Sequence, residues 1–117
     1  MLPAIQSSIS GVRAFGKKLD VQADNIANVE TDGFKKSRTV MSTEDNTGVR
    51  ADIQKVDTPG PPNPEALVDP TAEKERSNVD LVEEVTAAIP TTIGYKANLK
   101  TVQAEEDMLG SLLDAIG

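Results

Sequence analysis

The chain has 117 residues and a net charge of −7, with no cysteine, histidine or tryptophan and only three aromatic side chains, Phe15, Phe34 and Tyr95. That length holds one small domain or an elongated helical unit, and so few large rings favour the extended shape. Without Cys or His the chain lacks a disulfide framework, the thiol nucleophile, the commonest general base and the soft metal ligands. Its acidic balance does not suit a phosphate backbone, so enzyme, metal-site and nucleic-acid functions are all disfavoured.

The N-terminal segment places Leu2, Ile5, Ile9, Val12, Gly16, Leu19, Ala23 and Ile26 at alternating intervals of three and four. This is the apolar stripe of an amphipathic helix over residues 2–28 that needs a partner surface. Gly16 within the stripe lowers helicity but lets another backbone come close. Ser7, Ser8 and Ser10 have no base partner and read as helix-surface residues. The run Asp24-Asn25-Ile26-Ala27-Asn28-Val29-Glu30-Thr31-Asp32-Gly33-Phe34-Lys35 then stops the helix at a defined place. Asn28 leaves the helical region cheaply, Thr31 and Asp32 offer oxygens to turn amides, and Gly33 supplies the positive φ of a tight reversal.

Beyond the turn the period drops to two. Val49, Ala51 and Ile53 alternate with Arg50, Asp52 and Gln54, and residues 38–43 are placed to pair with them across Glu44-Asp45-Asn46-Thr47-Gly48. One short hairpin is expected, resting on a helix or a neighbouring subunit because a lone hairpin is marginal in water. The basic cluster Lys35-Lys36-Ser37-Arg38 is too small to be a nucleic-acid site and is expected to meet an acidic neighbour. Asp45-Asn46-Thr47-Gly48 lacks the spacing of a calcium loop and reads as a turn. Residues 58–76, opening Thr58-Pro59-Gly60-Pro61-Pro62-Asn63-Pro64, form an extended, polyproline-like connector.

A second stripe runs Leu81, Val85, Ala88, Thr92, Tyr95, Leu99, Val102, Glu106, Leu109, Leu113 and Ile116. Ser77 is the expected N-cap, with Asp80 three residues on, and Glu83 and Glu84 suit the positive end of the helix. Pro90, followed by Thr91-Thr92-Ile93-Gly94, predicts a kink or break near residues 88–94. Adjacent carboxylates at 83–84 and 105–107 diverge around the helix and form a solvated face rather than a catalytic pair. Glu106 in the stripe is either a wet gap or a partner for Lys17 or Lys18. Charge is uneven along the chain: +2 over residues 1–40, −4 over 41–76 and −5 over 77–117, a mild attraction between the ends. The organisation is thus mainly α: an N-terminal helix and turn (1–33), a hairpin region (34–57), a Pro-rich connector (58–76) and a C-terminal helix (77–117), with each helix stripe in need of a partner surface.

Asn25, Ile26, Ala27, Asn28, Thr31, Gly33, Phe34 and Lys35 in that order resemble the N-terminal signature of bacterial flagellar rod and hook proteins. Asn78-Val79-Asp80-Leu81, then Tyr95, Ala97 and Asn98, then Asp107 to Leu113, resemble the C-terminal one. Only about forty residues separate Phe34 from Ser77, and residues 47–59 are similar to the middle of the small proximal-rod proteins of the C type. The Pro90 segment departs from the family's uninterrupted helix.

The resemblance implies an elongated structural subunit of the basal-body rod that transmits torque from motor to hook, its N- and C-terminal helices paired antiparallel or side by side as a coiled coil. Its partners would be copies of itself, neighbouring rod proteins and the flagellar export apparatus, with no cofactor, small-molecule substrate or membrane insertion. It implies a periplasmic location reached without a cleaved signal peptide, in keeping with an N-terminus that lacks a basic and apolar leader pattern. Terminal segments would order only as neighbours bury Ile5, Ile9, Val12, Gly16, Leu19, Ile26, Leu99, Val102, Leu109 and Leu113. The alternative is a soluble helical-hairpin adaptor that dimerises or binds one target helix through the same stripes.

Overall fold

The computed structural model describes residues 2–45 and 48–117. Two long helices carry the molecule, α1 (Leu2–Ala27) and α2 (Leu81–Ile116), with strands β1 (Ser37–Glu44) and β2 (Gly48–Lys55) between them. The shape is elongated, 76 × 24 × 19 Å. The helices run antiparallel: Gly11 lies against Asn98, Gly16 against Tyr95, and Gly94 against Phe15. At about 1.5 Å per residue, the 36 residues of α2 outrun the 26 of α1 by roughly 15 Å.

α1 ends where the sequence places its stop. The Asn28 amide and side chain both bond the Asp24 carbonyl, Thr31 Oγ1 donates to Asn28 Oδ1, and Gly33 takes φ +72°. β1 and β2 pair antiparallel with Ser37 opposite Lys55 and Glu44 opposite Gly48. The expected tip residues Asn46 and Thr47 lie outside the described residues. The hairpin packs on α1, with Ala51 buried, and Ser10 links the two: its hydroxyl accepts from the Val49 amide at 3.1 Å and donates to the Ser7 carbonyl. Ser8 is buried as well. Ser8 and Ser10 are therefore not the simple surface positions expected, while Ser7 is exposed.

The connector is more folded than a polyproline run. Pro62 bridges to Glu75, and a 3₁₀ turn spans Pro64–Leu67. Asn63, 4% exposed, holds this excursion: its side chain caps the turn through Glu65 N and donates to Asp32 and to the Glu73 carbonyl.

Two expectations for α2 are corrected. The N-cap is Asp80, not Ser77; one Asp80 oxygen accepts from the amides of Val82 and Glu83, while Ser77 Oγ accepts from Val79 N. And α2 is unbroken through Pro90. Proline leaves the Thr86 carbonyl without its usual donor and costs about 3 kcal/mol; the Thr91 and Thr92 hydroxyls donate to the next two carbonyls, of Ala87 and Ala88, at 2.9 and 2.8 Å. Thr91 is 1% exposed against α1. Packing thus holds the turn that propensity alone would break.

Candidate assembly interface

The two helices meet through their small and polar residues. The buried positions of α1 are Ser8, Gly11, Ala14, Val21, Gln22 and Asn25, and those of α2 are Glu84, Thr91 and Glu105. Each buried α2 residue sits one position before a member of the apolar stripe (Val85, Thr92, Glu106), and Ser8, Gly11, Gln22 and Asn25 stand in the same relation to Ile9, Val12, Ala23 and Ile26. One residue is 100° around a helix. The contact line is therefore rotated from the centre of each stripe, and the large apolar residues flank it.

Ile5, Ile9, Val12, Gly16, Leu19 and Ile26 are half-buried along the edge of the α1 contact, as is Val102 on α2. Leu99, Leu109 and Leu113 are exposed. Glu106 is exposed too, and it is Glu105 that is buried, with Oε2 lacking a hydrogen bond. Neither Lys17 nor Lys18 forms an ion pair with it among the described residues. Val82, Val85, Ile89 and Ile93 make a further apolar ribbon on the side of α2 turned from α1, and Met108, Leu109, Leu112, Leu113 and Ile116 project past the start of α1. No helix is long and apolar enough to cross a membrane, and no cluster of acidic side chains suited to a metal ion occurs among the described residues.

The signature residues converge at the opposite end. Asn25, 1% exposed, donates from Nδ2 to the Ser37 carbonyl at 2.7 Å and accepts from the Ser37 amide at 2.9 Å, so α1 grips the start of β1 as a second strand would. Asn78 does the same for the approach to α2: its Oδ1 accepts from Lys36 N, and its Nδ2 donates to the carbonyls of Val56 and Thr58. The Asn78 amide bonds the Phe34 carbonyl, and Phe34 lies under the Lys55 ammonium at 5.2 Å. Val79 is half-buried beside this lock, while Ala27, Leu81 and Ala97 are exposed. Tyr95 covers Gly16, and Asn98, which donates to the Gly94 carbonyl, fills the space over Gly11.

Lys35 and Lys36 find their acids within the chain, not on a neighbour. Lys35 Nζ lies 2.6 Å from Glu75 and Lys36 Nζ 3.2 Å from Glu83. The hydrogen bond from Lys35, joined by the Gly60 amide, holds the Glu75 carboxyl below its ordinary range. Ser37, Asn63, Glu75 and Thr91 were not singled out as site residues in the sequence. Asn63-Pro64-Glu65 carries the one local signal, a cap followed by proline at the first position of a turn.

Comparison with known proteins matches both ends of the chain. A family model described as flagella basal body rod protein matches residues 5–35, and one described as flagellar basal body rod FlgEFG protein C-terminal matches residues 74–115. The chain is also similar to the flagellar basal-body rod protein FlgG of Bacillus subtilis (strain 168), 60% identical over 41 residues. That stretch is 35% of this chain and 16% of the relative's length. The two matched stretches contain nearly all of both helices together with Asn25 and Asn78; the hairpin and most of the connector lie between them.

Proposed function

This chain belongs to the flagellar basal-body rod protein family, and we propose that it is a structural subunit of the rod, built into the axial tube by its two helices beside copies of itself and other rod proteins. One observation carries this reading: the fully buried contact between the helices is mostly small and polar, while most of the large apolar residues of α2 face out. Eleven large apolar side chains of α2 from Leu81 to Ile116 are at least 37% exposed. Together they expose on the order of 1,000 Å², spread over the outer ribbon and the projecting tail of α2, and exposed apolar surface on this scale marks sites of protein–protein contact.

In this reading the chain reaches the periplasmic rod through the flagellar export apparatus, and the ends of its helices order as neighbours cover them. The short middle segment, outside both matched stretches, is what supports a small proximal-rod subunit over a hook-like one. Limited proteolysis with circular dichroism on the purified chain tests the reading. Rapid loss of residues 95–117, reversed on incorporation into basal bodies, is expected. A discrete dimer at low concentration with both ends protected would instead favour a helical-hairpin adaptor.

A further inference from the structure

Each helix carries a line of charge on the side turned away from the seam. Arg13, Asp20 and Asp24 of α1 and Lys96, Lys100 and Asp107 of α2 are all exposed, and none of them is in an ion pair among the described residues. At about 100° per residue, the first three lie within ~40° of the point opposite Gly11, which meets α2, and the second three within ~40° of the point opposite the buried Thr91. The two lines therefore face outward on opposite sides of the helix pair. They bring the isolated chain no benefit. Arg13 with Lys17, Asp20 with Asp24, and Lys96 with Lys100 are like charges four residues apart, an arrangement mildly destabilising in a helix on its own.

The two lines are complements of one another. Arg13, Asp20 and Asp24 are spaced by seven and then four residues; Asp107, Lys100 and Lys96 are spaced by the same seven and four in the reverse direction, with the opposite charge at every position. Laid antiparallel, Arg13 meets Asp107, Asp20 meets Lys100 and Asp24 meets Lys96 in a single register. The other charges on these faces, Lys17 and Asp114, come level with the neutral Gln103 and Gln6. Laid parallel, no register pairs more than two of the three, and the one that sets Asp20 on Lys96 and Asp24 on Lys100 places Arg13 on Ile89.

We propose that the outer face of α1 binds the outer face of α2 of a second copy in the antiparallel register, through Arg13–Asp107, Asp20–Lys100 and Asp24–Lys96. The proposal rests on the rod-subunit reading and adds the lateral contact between copies. Because α1 and α2 of one chain are themselves antiparallel, α1 of the two copies then runs in the same direction. The two faces lie on opposite sides of one molecule, so the contact is heterologous and propagates from copy to copy instead of closing as a two-fold dimer. Within the chain Gly11 is level with Asn98, so bringing Asp107 level with Arg13 displaces the second copy by eleven residues, roughly 16 Å along the axis.

Charge reversal tests the register in basal bodies purified from cells that express the chain. Asp20→Lys with Asp24→Lys, and separately Lys96→Glu with Lys100→Glu, should each lower incorporation by about tenfold or more, since two exposed pairs turn from attraction to repulsion. The chain with all four substitutions should return to near the wild-type level. Far-UV dichroism of each purified variant, unchanged from wild type, excludes a folding defect. Wild-type incorporation of either half, or a fourfold variant no better than the halves, would overturn the contact. The chain has no cysteine, so Arg13→Cys with Asp107→Cys reports the contact directly: a short thiol cross-linker should give a ladder of copies that neither single variant gives. Incorporated chain with no ladder would overturn the contact and leave the rod reading intact, whereas a wild-type chain absent from basal bodies would refute the rod reading and the contact with it.

Discussion

Replacing Asn25 by alanine is the sharpest test of how this fold is held together. Its side chain makes two hydrogen bonds, both to the backbone of Ser37, which is itself buried. The alanine variant removes both partners and leaves an amide and a carbonyl of Ser37 unpaired, so the cost is about 2–6 kcal/mol, the sum of two buried unsatisfied groups. That is a large part of the 5–15 kcal/mol that holds a typical small domain. Hydrogen exchange reads it at one site. Protection of the Ser37 amide should fall at least ~30-fold at 1.4 kcal/mol per factor of ten, and the urea midpoint should drop with it. Asn28→Ala, which loses exposed bonds to Asp24, should cost under about 1 kcal/mol. Asn25→Asp sharpens the test further, since it keeps the acceptor for the Ser37 amide but sets a carboxylate against the Ser37 carbonyl. Its deficit should shrink as pH falls and the protonated acid can donate. Equal midpoints for Asn25→Ala and Asn28→Ala, with Ser37 still protected, would refute the lock.

Glu75 is held below its ordinary range by Lys35 and the Gly60 amide, so its contribution to stability is present above the unfolded carboxylate pKa and is lost as pH falls through the folded value. Glu75→Gln should flatten that acid limb of the urea midpoint against pH, and an unchanged limb would assign it to other carboxylates. Gly60→Ala should cost about 1–3 kcal/mol or more by thermal melt, because the new methyl meets the backbone carbonyl of Arg76. Gly110→Ala, with open space around it, should instead stabilise the tail by up to about 1 kcal/mol as read by far-UV dichroism. Leu109→Asp, at an exposed position of α2, should leave the melting of the isolated chain nearly unchanged and abolish incorporation into basal bodies; normal motility in that variant would count against the assembly role.

The helices, the hairpin and the Gly33 reversal were legible because each is written in local periodicity or turn chemistry; the antiparallel direction of the helix pair, open between two arrangements in the sequence, is set by tertiary contacts. Pro90 misled because a proline reads as a break at the level of propensity, whereas the buried Thr91 and its hydroxyl bond to Ala87 are set by α1, forty or more residues away in sequence. The cap was misplaced by three residues for a similar reason. Ser77 and Asp80 both have cap chemistry, but the Ser77 hydroxyl is turned to the Val79 amide and Asn78 is engaged at the hairpin base, so the helix starts after Asp80. The asparagine locks were visible as signature residues, but their bonds to Ser37, Val56 and Thr58 join segments that no local pattern connects.

The stripe itself shows what periodicity can and cannot fix. Alternating intervals of three and four establish that a helix has an apolar side; they do not establish which neighbour that side meets. Within the chain the line of contact is chosen by close approach, at Gly11 under Asn98, Gly16 under Tyr95 and Gly94 under Phe15, and close approach selects small residues. The large ones are displaced to the flanks by one position, half-covered on α1 and open on α2. A chain selected for the stability of its isolated form would gain by turning α2 to bury Val85 and Leu99 in the seam. This one keeps them outside and puts Gln22, Asn25, Glu84, Thr91 and Glu105 within. The sequence is thus better matched to a helix pair surrounded by other helices than to a helix pair in water.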